Sequence, residues 1–237
     1  VDIIKSILLL PGVTNAGEGQ SGFNVRGGGA DQNLVLLDEA VVYNAAHLFG
    51  FFSVFNSDAV KSVTLTKGGM PANFGGRLSS VLEVNMNEGN NKQFKVTGGI
   101  GAISSRLTVE GPIVKNKGSF IISARRTYID LIMKAAIPDS SPFAGSSYFF
   151  YDVNAKFNYK LGDKDRIFLS GYYGKDVFSF KDNKGGFGVN MPWGNGIAAL
   201  RWNHLFTNKL FMNVTGTFSD YMFKFGSQQD QFRFELA

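Results

Sequence analysis

The sequence predicts a membrane β-barrel wall preceded by a compact α+β unit. Three observations point there. Beyond residue 92 the hydrophobic period changes to 2 and holds over long segments, as a sheet facing two different surroundings requires. The connections between these segments sort by length, with tight turns at one end and long connections at the other. Glycine is abundant, 29 of 237 residues against an average near ~7%. Phenylalanine dominates the aromatics with 23 residues, a composition suited to turns and strands.

Composition excludes several classes. There is no cysteine, so no disulfide framework or thiolate metal site exists. The net charge is +5 with 18% charged residues, and no Lys/Arg cluster gives a nucleic-acid signature. No apolar run approaches the ~20 residues of a membrane helix. A membrane strand needs only ~10 residues of alternating character, which such a window misses. Val1-Asp2 opens directly into a pattern, so no signal peptide is expected.

Residues 1–88 form the first unit. VDIIKSILLL predicts a short helix, stopped by Pro11-Gly12. Residues 13–22 read as a polar loop. Phe23 and Val25 begin a strand that breaks at Gly27-Gly28-Gly29. Leu34–Leu37 is a strand, Asp38-Glu39 a turn, and Val41–Tyr43 another strand. Residues 44–55, with His47 and four phenylalanines, read as a loop or helical turn packed on the sheet. Asn56–Met86 holds two strands, one carrying Val60, Val63 and Leu65, the other Val81, Leu82 and Val84. Between them Gly68, Gly69, Gly75 and Gly76 mark tight turning or close approach. Residues 87–92, NEGNNK, are a polar linker.

Residues 92–237 form the second unit. Phe94, Val96, Gly98 and Ile100 alternate with Lys95, Thr97 and Gly99. Phe120, Ile122 and Ala124 alternate with Ser119, Ser123 and Arg125. Over 151–161, Tyr151, Val153, Ala155, Phe157, Tyr159 and Leu161 face one way, and Asp152, Asn154, Lys156, Asn158 and Lys160 the other. Tight turns are expected at 115–118, 162–165 and 207–209, and long connections at 128–148 and 177–193. Tyr128, Tyr148, Phe149, Phe150, Tyr151, Tyr172, Tyr173, Phe206 and Phe211 lie toward strand ends, where they predict interfacial girdles. Ile129, Ile132, Met133 and Ala136 have helical spacing before Pro138, which predicts a short helix in a long loop.

No catalytic set is visible, so no enzyme is expected. His47 and His204 lie far apart in sequence, and a base needs a positioned partner. Asp38-Glu39 has no further ligand at coordinating spacing. Lys67 precedes Gly68-Gly69, the wrong order for a phosphate loop. Arg26 and Arg77 stand out because each abuts glycines, where flexible backbone lets a guanidinium reach across an interface.

Several pieces, in order, resemble TonB-dependent outer-membrane receptors. They are Leu10-Pro11-Gly12-Val13, Phe23-Asn24-Val25-Arg26-Gly27-Gly28, Leu36-Leu37-Asp38, Asp58-Ala59-Val60-Lys61-Ser62-Val63, Lys67-Gly68-Gly69, and Ala72 through Val84 (ANFGGRLSSVLEV). The resemblance is strongest over residues 8–86 and extends loosely to about 175. Its wording looks most like the Bacteroidota-type branch with a small carboxypeptidase-regulatory-like domain upstream. Two positions depart from the family pattern. Asp38-Glu39 replaces the usual Asp-Gly, which predicts another turn geometry, and Phe74 replaces the usual Tyr.

The resemblance implies that residues 1–88 are a plug domain, its N-terminal part missing, inside a barrel of roughly 22 strands. Residues 92–237 would supply roughly the first seven or eight. An ~8-stranded barrel is filled by its own side chains, so the chain is expected to be a fragment. The resemblance further implies the bacterial outer membrane, contact with its lipids, and TonB acting through an N-terminal segment absent here. A small nutrient would be the substrate, and a surface lipoprotein a further partner. No nucleic acid, cofactor or metal is implied. Arg26 and Arg77 become plug–barrel lock residues, with Glu110 on the second wall strand as partner. Gly27, Gly28, Gly68, Gly69, Gly75 and Gly76 become the plug-motif glycines. The implied function is TonB-dependent import with the plug gating the lumen. The alternative is a plugged-barrel scaffold or accessory channel. A soluble β-rich binding or hydrolytic domain is a third class, which a need for detergent would separate from both.

Overall fold

The computed structural model describes residues 2–17, 22–138, 140–141, 144–182, 186–229 and 232–236. The first unit opens with α1 (Ile3–Ile7), capped by Asp2, whose Oδ1 accepts the Lys5 N–H at 3.1 Å. Ile3, Ile4 and Ile7 are buried. The helix stops well short of the expected Pro11, because Leu9 turns out to solvent and no apolar face remains to bury.

β1 (Val13–Asn15) then pairs with β2 (Phe23–Val25), so the expected loop over 13–22 begins as a strand. Residues 18–21 of that loop lie outside the described residues. β3 (Asn33–Leu37) and β4 (Ala40–Val41) form a hairpin, and β5 (Ala46–His47) pairs with β6 (Phe52–Ser53). β7 (Val60–Thr66) and β8 (Ser80–Met86) complete a four-stranded sheet of order β4-β3-β8-β7. β3 and β8 run parallel. β8 is covered on both faces, which explains its near-continuous apolar run through Val81, Leu82, Val84 and Met86, all buried.

The β3–β4 turn keeps the common hairpin geometry rather than another one. Asp38 and Glu39 have φ of 46° and 75°, as a type I′ turn demands at both central positions. Two non-glycine residues in the left-handed region cost roughly 1–3 kcal/mol each. Asp38 offsets this locally: its N–H donates to Val84 O at 2.9 Å, and its Oδ1 accepts the Met86 N–H at 3.1 Å.

The second unit is one antiparallel sheet. Its strands are β9 (Lys95–Ile100), β10 (Ser104–Val114), β11 (Gly118–Thr127), β12 (Ser147–Lys160), β13 (Asp165–Lys181), β14 (Phe187–Thr207), β15 (Leu210–Phe223), β16 (Phe225–Gln229) and β17 (Phe232–Leu236). α2 (Ile129–Ala136) lies between β11 and β12, at the helical spacing expected. β15 and β16 pair with successive stretches of β14. The nine strands therefore fill eight lanes among the described residues. The partner of β14 changes near Pro192, whose carbonyl accepts the Lys224 N–H at 2.9 Å; proline tolerates such an irregular site. The long connection expected over 177–193 is mostly strand, since Val177 to Lys181 pair in register with Pro192 to Gly188.

The alternation of this wall is inside out. On β12, Asp152 is 0% exposed and buried against the first unit, while neighbouring Val153 is 39% exposed on the outer face. Asn154, Lys156 and Asn158 turn inward with Asp152, whereas Phe157 turns outward. The outer face continues apolar through Leu169, Leu200, Val214 and Phe218. Such a face suits lipid and not water. The aromatic girdle is thinner than expected: Tyr173, Phe206 and Phe211 are exposed, but Tyr148, Phe150 and Tyr172 point inward and are buried.

An arginine on the outer face should separate lipid from water. Val153→Arg is expected to lower stability in bilayers by about 2–4 kcal/mol if that position lies near the midplane. Denaturant titration in lipid vesicles, compared with detergent, measures it; an unchanged midpoint in lipid would show that the face does not meet the bilayer core.

Candidate functional site between the two units

The inward polar positions of the wall meet the first unit at several places: Asn195 donates to the Asn44 carbonyl at 2.8 Å, Ser123 accepts from Asn56 at 2.7 Å, and three further places each gather several contacts. The first centres on His47, at the end of β5. Its Nδ1 lies 2.6 Å from Asp176 Oδ2 and its Nε2 3.3 Å from Asp152 Oδ2. The ring stacks on Phe150, centroids 4.0 Å apart and planes within 3°. Tyr172 Oη lies 3.3 Å from Nε2. Tyr148 donates its hydroxyl to Asp176 Oδ1, which also accepts the Leu48 N–H at 3.1 Å. Arg125 of β11 donates to Asp152 from Nε at 2.8 Å and to the Ser53 carbonyl at 2.7 Å. Its guanidinium lies over the Phe150 ring at 5.1 Å.

The wall's register assembles this cluster. Arg125 is paired directly with Asp152, and Phe150 with Asp176. Asp152 and Asp176 are thus diagonal neighbours on one face, and cations must separate them. Burial pulls the His47 pKa down, but the hydrogen bonds and charges of Asp152 and Asp176 outweigh it, leaving the pKa above its ordinary 6.5.

The second place is the Asp38 turn. Lys156 Nζ lies 2.9 Å from Asp38 Oδ2 and donates to the Met86 carbonyl at 3.1 Å. Both side chains are buried. Beside them Glu39 accepts from Arg201 of β14 at 2.8 Å. A cleft of about 180 Å³, lined by Asp38, Lys61, Glu88, Lys156 and Arg201 among others, opens between the units here.

The third place is the linker. Glu88 pairs with Arg166 at 2.7 Å, and its carbonyl accepts from Ser119 Oγ at 2.6 Å and Asn158 Nδ2 at 2.9 Å. Gly89, φ 78°, presses on the wall so closely that an added Cβ would collide with the Phe120 carbonyl. The expected polar linker is therefore a clamp, and Gly89 is a glycine of true close approach.

The residues expected to matter are placed differently. Arg26 and Arg77 are exposed. Arg77 Nη1 donates to its neighbour Gly76 O at 3.2 Å. Glu110 lies 3.6 Å from Lys95, its register partner on β9. Among the described residues no ion pair joins either arginine to Glu110. Gly27, Gly68, Gly69 and Gly76 have positive φ, and an added Cβ on Gly27, Gly69, Gly75 or Gly76 would meet nothing within 4 Å. Close approach applies to Gly28, against Ser79. Sequence reasoning missed Arg125, Asp152, Lys156, Asp176, Glu88 and Gly89. The available signal was the charged residues on the polar face of alternating strands.

Residues 2–81 match the family model described as TonB-dependent Receptor Plug Domain. No curated protein matches the chain. Among solved structures, the fold resembles the siderophore receptor PirA from Acinetobacter baumannii, with TM-score 0.55 and 15% identity over 95% of this chain and 42% of that one. It resembles the FrpB iron transporter from Neisseria meningitidis (F3-3 variant), with TM-score 0.57 and 16% identity over 95% of this chain and 38% of that one. The copper transporter OprC gives TM-score 0.62 and 12% identity over 97% of this chain and 35% of that one. The chain thus spans under half the length of each, and the likeness is one of fold.

Substitutions at Lys156, Asp38 and Gly89 probe the contacts. Lys156→Ala leaves Asp38 charged and buried, with an expected cost of about 3–5 kcal/mol. Combining Lys156→Met with Asp38→Asn should recover most of that loss, measured by urea unfolding of the first unit. Gly89→Ala is expected to unseat the linker, since strain and collision act together; limited proteolysis after Met86 reads it, and wild-type resistance would contradict the clamp.

Proposed function

We propose, from residues 2–81 as a TonB-dependent receptor plug domain seated on a β-barrel wall, that this chain belongs to an importer of a small nutrient across the bacterial outer membrane. The plug gates the lumen. The observation that carries this reading is the character of the plug–wall contact. The wall turns Asp152, Lys156, Asn158 and Asp176 inward and holds the plug by ion pairs and hydrogen bonds beside apolar packing through Tyr172, Ile197 and Ala199. A contact of this mixed kind separates more readily than a wholly apolar one. The outer face offers lipid an apolar surface, and the 180 Å³ cleft leaves the plug incompletely packed. No covalent step is required: TonB, acting from the periplasmic side, would supply the force that opens the contact.

The finer parts belong to the same reading. The wording Leu10-Pro11-Gly12-Val13 supports the Bacteroidota-type branch, and with it an upstream domain and a surface lipoprotein partner. The full barrel would have roughly 22 strands, with residues 1–88 as plug and 92–237 as wall. Arg26 and Arg77 would serve as exposed plug cations for acidic wall groups, Glu110 among them. Unchanged plug retention and pore conductance in Arg77→Ala would remove that role.

A reversible tether tests the gate. Asn56 Nδ2 donates to Ser123 Oγ at 2.7 Å across the interface, and the chain has no cysteine of its own. In the full-length protein, Asn56→Cys with Ser123→Cys is expected to form a disulfide that stops nutrient uptake by whole cells. Reductant should restore uptake. Full uptake by the oxidised, tethered protein would count against plug movement in import and would favour a scaffold.

A further inference from the structure

His47 is the plug side chain most enclosed by wall charges. Each ring nitrogen faces a carboxylate, Asp176 at 2.6 Å and Asp152 at 3.3 Å. A neutral imidazole has one N–H and one lone pair, so it can donate to only one of them. The other carboxylate would then meet a lone pair where water is excluded. The imidazolium donates to both.

Charge balance agrees. The groups facing the ring are Asp152 and Tyr148 of β12, Asp176 and Tyr172 of β13, and Arg125 of β11. On the plug side, Asp2 is linked to the same hairpin through Ser53, whose N–H donates to Asp2 Oδ2 at 2.7 Å. With the tyrosines neutral, Asp152 and Asp176 cancel Arg125 and a protonated His47. A neutral His47 leaves one uncompensated negative charge buried.

The same wall groups hold the backbone on both sides of the ring. Asp176 takes the Leu48 N–H and Arg125 the Ser53 carbonyl. Among the described residues the other two contact sites hold no histidine. A change at His47 would therefore act on residues 46–53 and leave the linker in place.

We propose that His47 is a proton-dependent latch: as an imidazolium it holds the Ala46–Ser53 hairpin to the wall, and on losing its proton it lets that hairpin go. The proposal rests on reading the plug as a gate and adds how that gate is regulated. Because the closed form raises the His47 pKa, the stabilisation is complete below about 6.5 and is lost as pH rises toward the closed-state value.

The test uses the full-length protein in planar bilayers, at fixed urea, with conductance reporting plug opening. The opening equilibrium is expected to rise roughly tenfold per pH unit above 6.5, to level off, and to be flat in His47→Gln. A flat wild-type profile, or an equal slope in His47→Gln, overturns the latch. If His47→Gln does not assemble, histidine-labelled wild-type protein decides: a His47 ring already neutral at pH 6 overturns it. Arg125→Ala and Lys156→Ala separate the two readings. Opening by either at every pH, beside a flat wild type, leaves the gate standing without the latch. No opening by either, at any pH, removes the gate and the latch with it.

Discussion

Each charge that the wall turns inward must find a partner, and much of the rest of the structure follows from that. Moving a charge out of water costs several kcal/mol, and here Asp152, Lys156 and Asp176 are all shut away. The wall cannot satisfy them alone. Arg125 meets Asp152 across the β11–β12 pair, but Asp176 is flanked in register by Phe150 and Trp193 and takes from the wall only the neutral Tyr148 hydroxyl. The plug supplies what is missing: the His47 ring, the Leu48 N–H, the Asp38 carboxylate and the Met86 carbonyl. The positions of the plug's turns are set by a period of two residues on the wall.

Backbone strain collects at these same places. Of the five described non-glycine residues with positive φ, Asp38, Glu39 and Leu48, at 46°, 75° and 48°, lie at these contacts, while Arg26 and Asn116 do not. Each of the former three makes a direct bond to the wall, to Lys156, Arg201 and Asp176 respectively. Such conformations cost roughly 1–3 kcal/mol apiece and persist where surrounding contacts over-determine them. The Asp38–Glu39 turn is also held by the plug's own bonds to Val84 and Met86, whereas Leu48 has its backbone N–H fixed by the wall's Asp176.

The fold was largely legible because it is written in periodicity. The alternation over 151–161, the short turns and the helix at Ile129 all follow from local rules. The strand pair Val60–Thr66 and Ser80–Met86 does so as well. The site was not, for a specific physical reason. Alternation tells which residues share a face but not which face is wet, and in this wall the polar face is the buried one. His47 looked isolated because its partners lie 105 and 129 residues away in sequence. Arg26 and Arg77 drew notice through their glycines, yet positive φ at Gly27 and Gly76 serves the turn and not an approach to the wall. Gly89, whose absent side chain does admit the wall, sat unnoticed in a polar linker.

The three contact sites differ in what it takes to break them, and that gives the interface a direction. At the linker, Glu88 and Gly89 are held by several groups at once and by covalent continuity into β9. The middle combines the Lys156–Asp38 pair with apolar packing of Leu37, Ala40 and Met86 around Ile197 and Ala199. The far end depends on His47, six residues along β12 from the linker contacts when measured from Asp152 to Asn158, roughly 20 Å of strand. Only that end combines a strained backbone, no covalent tie to the wall, and a cation whose charge depends on a single exchangeable proton. In the proposed gate, separation would begin at the His47 hairpin and pivot on Asn87–Lys92, with the cleft beside Lys156 as the first space to widen.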